Sequence, residues 1–310
     1  MAKYSIGVDL GGTNFRAAAI DESGKILDKI AGATNSAAGR DGIVNSIVDA
    51  VIALRDRRTG DELVGTGITV PGFILMEEGR VLKAPNIPSL DGFLAKQAFQ
   101  SLLKAPVILE NDANAAALGE KWMGAGRGID NLVLLTLGTG IGGGIIADGK
   151  VMHGFMGMAA ELGHITVDLN GIPCGCGNTG CLEKHASATA IATMARHLSL
   201  GDHLTSEDVY NLAVTGNSEA KRIFESMGRA LGIGLATFIQ TFNFPLYLLS
   251  GGPLAAWDMF APAMFREIEA RSLTYRSTKT RIEKAELGSD AGLFGAAYLP
   301  FQAMAAAQAR

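Results

Sequence analysis

From its N-terminus the chain alternates short apolar runs with segments whose apolar residues recur at helical spacing. "YSIGVDL" and "RAAAID" read as two strands around a Gly-rich turn, "GIVNSIVDAVIALRD" as a helix with one apolar face, and "VGTGITV" as a further strand. After "PNIPSLDG" the spacing predicts a helix over "FLAKQAFQSLL", a strand over "PVILEND" and another helix over "ANAAALGEKWMG". Strands alternating with helices in this manner predict an α/β fold. The second half begins again with "NLVLLTLGTGIGGGIIADG", which echoes the opening "IGVDLGGTNFRAAAIDESG": apolar strand, polar Gly/Thr turn, second strand, second turn. Two such hairpins, one opening each half, predict paired domains built on one plan with a cleft between them. A helix-rich stretch from Ala186 to Asn243 follows, and "AGLFGAAYLPFQAMAAAQA" predicts a last helix able to pack on either domain. No self-similar repeat of roughly 20 to 50 residues is present, so a solenoid is excluded.

From Ala230 to Trp257 no residue is charged. Gln240, Asn243, Pro245 and the Gly251-Gly252 break leave no clean apolar span of about 18 residues, which argues against a membrane helix. The segment reads instead as a buried helix to about Phe242, a turn at "NFP" and a buried strand "LYLLS". The N-terminus reaches a strand-like run without the apolar stretch of a signal peptide, so a cytoplasmic protein is expected.

At 310 residues the chain is longer than one hydrophobic core usually serves, which again favours two domains. A net charge of -4 argues against nucleic acid or an anionic membrane as partner. Forty glycines, clustered, imply several tight loops where backbone approaches something closely.

Four segments carry candidate chemistry. In "DLGGTN", Asp9 to Asn14, Gly11 and Gly12 allow a turn with exposed N–H groups, and Thr13 and Asn14 add side-chain donors. Such a concavity suits phosphate, with Asp9 placed to hold magnesium through water; a plain hairpin turn is the competing reading. In "LGTGIGGG", Gly138, Gly140 and Gly143 fit G-x-G-x-x-G, but a strand and a turn follow where the dinucleotide fingerprint needs a helix. There is no P-loop signature either. Two Gly/Thr hairpins suit a nucleotide whose phosphates are gripped from both sides. "LENDANAAALGE" puts Asn111 and Asp112 at a strand–helix junction, where Asp112 is either a helix cap or a carboxylate able to take a proton from a substrate hydroxyl.

All three cysteines fall within "CGCGNTGC". Cys174, Cys176 and Cys181, with His164 upstream, make the donor set of a closed tetrahedral zinc site. An odd thiol count in a reducing compartment disfavours a disulfide. Glu161 and Glu183 flank this loop in "AAELGH" and "CLEKH", as solvated charges or as parts of one ordered site. His153, His185, His197 and His203 lack such company, and no role is expected of them.

Together, "DLGGTN", "ENDANAAALGE", "LGTGIGGGI", "ELGH" before "CGCGNTGCLE", "LLSGGP" and "GSDAGLFGAA" resemble, in order and spacing, the ROK family of sugar kinases, named for its repressors, open reading frames and kinases. The resemblance implies an actin-like ATPase (ribonuclease H-like) fold: one α/β domain over residues 1–115 plus 288–310, and a larger one over 116–287. It assigns ATP phosphates to the first turn (Asp9, Gly11, Gly12, Thr13, Asn14) and to Gly138, Thr139, Gly140, Gly142 and Gly143, and the adenosine end to Ser250–Pro253, with Gly251 and Gly252. It makes Asp112 the general base and gives the sugar hydroxyls to Asn111, Glu161, His164 and Glu183, with Gly72 and Asn86. The metals implied are magnesium with the nucleotide and zinc on His164, Cys174, Cys176 and Cys181; the assembly implied is a homodimer. Within the family the likeness is closest to kinases of glucose acting at the 6-hydroxyl, over kinases of N-acetylated hexosamines or fructose. A sugar-sensing repressor would carry a DNA-binding segment before the core, whereas eight residues precede Asp9. The family pattern often has Gly where this chain has Ala160, a change expected to reshape the sugar loop.

Overall fold

The computed structural model describes residues 2–278 and 280–308. The chain divides into two compact units: one holds the residues up to Asp130, Gly144–Ala159 and those from Glu286 on, and the other holds Asn131–Gly143 and Ala160–Ala285. Along the chain run β1 (Lys3–Leu10), β2 (Asn14–Asp21), β3 (Ile26–Ala33), α1 (Gly39–Asp56), β4 (Glu62–Val70), β5 (Phe73–Leu75), β6 (Arg80–Lys83), α2 (Ala95–Leu103), β7 (Val107–Asn111) and α3 (Asp112–Met123). Then come β8 (Leu132–Leu137), β9 (Ile141–Ala147), β10 (Lys150–Val151), α4 (Glu183–Ala186), α5 (Ala188–His197), α6 (Ser206–Val214) and α7 (Ser218–Phe242). The chain finishes with β11 (Leu246–Ser250), α8 (Trp257–Arg271), α9 (Leu273–Ser277), β12 (Arg281–Lys284) and α10 (Ala291–Gln308).

The first sheet has the order β3-β2-β1-β4-β7, with β1 antiparallel to β2 and parallel to β4. The pleat explains the odd composition of "YSIGVDL". Tyr4, Ile6, Val8 and Leu10 point into the core that includes Ile43, Ile47, Val51 and Leu54 of α1. Ser5 and Gly7, on the other face, meet α10: Ser5 Oγ donates to the Ala297 carbonyl at 2.5 Å, and a Cβ on Gly7 would lie 2.7 Å from the Ala297 nitrogen. On β4, a Cβ at Gly67 would stand 1.8 Å from the Ala296 carbonyl oxygen. Large residues thus line one face and minimal ones the other, and α10 lies almost on the backbone of the sheet. The same helix packs along α3, fixing the element that begins at Asp112.

The second sheet has the order β10-β9-β8-β11-β12. Its central pair, β8 and β11, is parallel, and every residue of β11 is buried, as expected for a strand covered on both faces. The uncharged stretch resolves as the sequence predicts. Helix α7 ends at Phe242 with Asn243 left-handed at φ 50°, and β11 follows three residues later. The Tyr247 hydroxyl closes the turn by donating to the Phe238 carbonyl at 3.1 Å. Among the described residues no helix is long and apolar enough to cross a membrane.

Candidate active site

In the first unit the turn after β1 is built so that its amides are presented. The carbonyls of Gly11 and Gly12 accept from the Thr34 hydroxyl at 2.7 Å and the Ser36 hydroxyl at 3.2 Å, and that of Thr13 accepts from the Thr34 amide at 2.8 Å. A trans peptide points each N–H opposite to the preceding carbonyl, so the N–H groups of Gly12, Thr13 and Asn14 turn away from the tether. Asn86 borders this turn: a Cβ on Gly12 would lie 3.4 Å from its carbonyl oxygen.

Asp9 stands at the end of β1. Its Oδ1 accepts from the Thr69 hydroxyl at 3.0 Å and its Oδ2 from Arg16 at 2.5 Å. Arg16 also donates to the Ser289 carbonyl at 2.6 Å and to Asp290 at 3.1 Å. The sequence reading passed over Arg16, although its register opposite Asp9 in the hairpin places it there. Magnesium would be reached through the lone pairs that these contacts leave.

The strand–helix junction shows which residue takes the capping position. Asn111, not Asp112, caps α3: its Oδ1 accepts from Ala113 N at 2.9 Å and Asn114 N at 3.1 Å. Its Nδ2 donates to the Gly72 carbonyl at 3.1 Å, which brings two expected sugar contacts together. Asp112 is thereby placed as the first helical residue, with Oδ1 accepting from Ala113 N at 3.0 Å.

Beneath this junction lies a pair that the sequence reading missed. Glu110, 1% exposed, accepts through Oε1 from Asn111 N at 2.9 Å and Asn114 Nδ2 at 3.1 Å, and its Oε2 meets His153 Nε2 at 2.7 Å. The bond to Glu110 raises the His153 imidazole above the usual histidine range, with burial opposing. His153, expected to have no role, thus has a defined partner. No local motif announces it, because the two residues are 43 positions apart.

The second unit repeats the turn device. The carbonyl of Gly138 accepts from Ala188 N at 2.8 Å and that of Thr139 from the Thr189 hydroxyl at 2.7 Å, so the N–H groups of Thr139 and Gly140 point the other way. Gly142 and Gly143 lie in β9 rather than in the turn. Glu183 opens α4 and reaches this turn: its Oε2 accepts from Ile141 N at 3.0 Å, and a Cβ on Gly140 would come within 2.3 Å of that oxygen. Glu161 has a carboxyl held above the usual range by burial, with His164 opposing that shift and Glu183 adding to it.

His164, Cys174, Cys176 and Cys181 offer donor atoms all within 4.8 Å of one another. A zinc tetrahedron with Zn–S of about 2.3 Å and Zn–N of about 2.0 Å has ligand–ligand edges of roughly 3.5–3.8 Å. Cys174 Sγ and His164 Nδ1 are 3.6 Å apart, and Cys176 Sγ and Cys181 Sγ 3.7 Å, so the residues fit the ion. Burial, with the neighbouring thiols, pushes Cys181 up to about 12, whereas the Asn178 backbone amide holds Cys176 below the usual thiol range. A cation is what allows such a set to persist as thiolates. Asn178, also missed, steadies it by donating from Nδ2 to Thr166 Oγ1 at 2.9 Å and to Cys181 Sγ at 3.5 Å. With Nδ1 of His164 on the metal side, Nε2 lies 3.9 Å from Glu161 Oε2. One imidazole therefore joins the cluster to the acidic pair.

Ala160 is left-handed at φ 69°, a conformation that costs most side chains but not glycine. Ala160→Gly is expected to stabilise the protein by about 0.5–1 kcal/mol, the relief of that strain less the added freedom of the unfolded chain. Urea unfolding of the two proteins checks this; an unchanged midpoint would show that the alanine sits there without strain.

At the end of β11, Gly251 has φ 111°, and a Cβ there would strike the Leu137 carbonyl oxygen at 1.9 Å. Gly252 and Pro253 then border a cavity of about 350 Å³ lined also by Glu207, Tyr210, Asn211 and Phe224. The walls from α6 and α7 were not foreseen, although the Thr205–Asp208 capping box that starts α6 is readable as T-x-x-D.

Two sheets of the ribonuclease H-like order, each with a tethered Gly/Thr turn, define an actin-like ATPase fold. The model of the ROK family matches residues 5–303, and the chain belongs to that family. It is 39% identical to a glucokinase of Halalkalibacterium halodurans, over 96% of this chain and 94% of that one. The ROK hexokinase of Thermus thermophilus superposes with a TM-score of 0.87 at 31% identity, covering 98% of this chain and 99% of that one. A ROK family glucokinase of Streptomyces griseus, solved with glucose and AMPPNP, gives 0.79 at 34% identity, covering 96% and 99%.

Proposed function

We propose that this protein is an ATP-dependent glucokinase, passing the γ-phosphoryl group to the 6-hydroxyl of glucose. The observation that carries the reading is the junction of β7 and α3, where Asn111 takes the capping role and leaves Asp112 as a fixed carboxylate. The likeness to glucokinases over nearly the whole chain supports glucose as the acceptor.

Phosphoryl transfer passes through a loose, highly charged transition state, so positioning and charge stabilisation supply most of the catalysis. The turn amides at Gly12, Thr13, Thr139 and Gly140 bind the phosphates, and the cavity beside Gly252 takes the adenosine. Asp112 accepts the proton of the attacking hydroxyl. Glu161, His164 and Glu183 bind sugar hydroxyls, and so do Asn111, Gly72 and Asn86. Asp9 would hold magnesium carried with the nucleotide, which would supply charge neutralisation. His164, Cys174, Cys176 and Cys181 would hold zinc, which would fix the sugar loop in place and take no part in the transfer. The protein works in the cytoplasm as a homodimer.

The test is ADP release with magnesium and ATP across glucose, fructose, mannose, allose, N-acetylglucosamine and N-acetylmannosamine. Turnover on glucose well above the others is expected. Preference for an acetylated hexose would replace the substrate and keep the mechanism, and silence on every sugar would overturn the kinase reading.

A further inference from the structure

The pair of Glu110 and His153 belongs to a closed ring of contacts. His153 leads into the loop Gly154–Ala159, whose base is shut by Ala159 N donating to the His153 carbonyl at 3.0 Å. The loop is folded tightly, with Gly154 at φ 64°, Met156 at φ 59° and Gly157 at φ 84°. Gly157 lies against β5, so close that a Cβ would meet the Ile74 carbonyl oxygen at 2.5 Å. Gly72, just before β5, accepts from Asn111 Nδ2, and Asn111 N donates to Glu110 Oε1. Glu110 Oε2 returns to His153 and closes the ring. Asp112 follows Asn111 directly, and Ala160-Glu161 follow the loop directly.

We propose that His153 is a positioning residue for phosphoryl transfer: its bond to Glu110 clasps the loop that precedes Glu161 to the helix cap that sets Asp112. The clasp rests on the kinase reading for its consequence and on these contacts for its existence. Glu110 is buried, and each of its oxygens has a job. Removing the imidazole donor leaves one carboxyl oxygen unpaired in the interior, and an unpaired buried polar group destabilises the arrangement around it. The groups that this bond ties together are the loop and the first turn of α3, which Glu110 meets through His153 and Asn114. Small displacements of a reacting group cost rate steeply.

The experiment compares His153→Leu, which removes the donor, with His153→Gln, which keeps one, by steady-state kinetics and amide hydrogen exchange. In the leucine variant kcat/KM for glucose is expected to fall about 10- to 100-fold, with KM for ATP unchanged. Protection at residues 153–159 and 110–115 is expected to drop in the same variant. The glutamine variant should stay close to wild type in both readouts. Kinetics and protection left unchanged in the leucine variant, or an equal loss in both variants, would overturn the proposal. Exchange decides the clasp without turnover, so a wild-type protein inactive on every sugar would remove the kinase reading and not the clasp. Should the leucine variant fail to fold, His153→Asn, polar but too short to reach Glu110, takes its place with the same expected results.

Discussion

Asp112→Asn is expected to lower kcat by about 10²- to 10⁴-fold, the range over which a positioned general base acts, while the dissociation constant for glucose changes by less than about threefold. The division follows from the junction. Asn111 caps the helix through Ala113 N and Asn114 N, so α3 does not need the charge of Asp112 to start where it does. An amide of the same shape keeps the local structure and loses the ability to take a proton. Calorimetric titration with glucose, beside ADP release at saturating sugar, separates binding from rate. A loss of affinity as large as the loss of rate would assign Asp112 to sugar binding instead.

The second large effect is expected from the metal cluster. Cys176→Ser, at the exposed member of the set, should lower the zinc content from one equivalent and raise KM for the sugar by about 10-fold or more, the scale on which groups supporting a site tune it. The reason lies in His164, whose Nδ1 lies against the Cys174 sulfur while its Nε2 approaches Glu161. On the proposed reading the ion would anchor this imidazole and close the loop from Leu162 to Cys181. Metal analysis, KM for glucose and KM for ATP are read together. A zinc-free protein with normal sugar KM would show that the cluster does not position the sugar contacts; an equal rise in KM for ATP would point to general unfolding of the second unit.

Much of this was legible beforehand because it is written in local pattern. The two hairpins, the junction at Asn111-Asp112 and the zinc donors each occupy a short run with its own spacing, and a short run folds by rules that act on neighbours. Even "LATFIQTFNFPLYLLS", uncharged throughout, divides into helix, turn and strand at Asn243. What stayed hidden depends on pairs far apart in the chain. Glu110 and His153 meet across 43 residues, Arg16 and Asp290 across 274, and α6 contributes Tyr210 to a cavity bordered by Gly252. Helix capping misled in a smaller way. Both Asn and Asp are good caps, and only the direction of the chain at the end of β7 decides which of the two adjacent residues takes the position. Residues 116–130 lie in the first compact unit, and α3 runs across residue 115 without a break.

The close seat of α10 on β1 and β4 bears on how the protein is made. Ser5 and Gly7 leave the ribosome long before their partner, Ala297, which is synthesised roughly 290 residues later. Until then the first sheet has one uncovered face, and α3, which carries Asp112, lacks the helix it packs along. Most of the second unit, Ala160–Ala285, is an unbroken run that is complete before that helix emerges. The order of synthesis therefore holds Asp112 out of its final setting until α10 has been made, and a nascent chain stopped short of residue 291 would present an open, aggregation-prone sheet to the cell's chaperones.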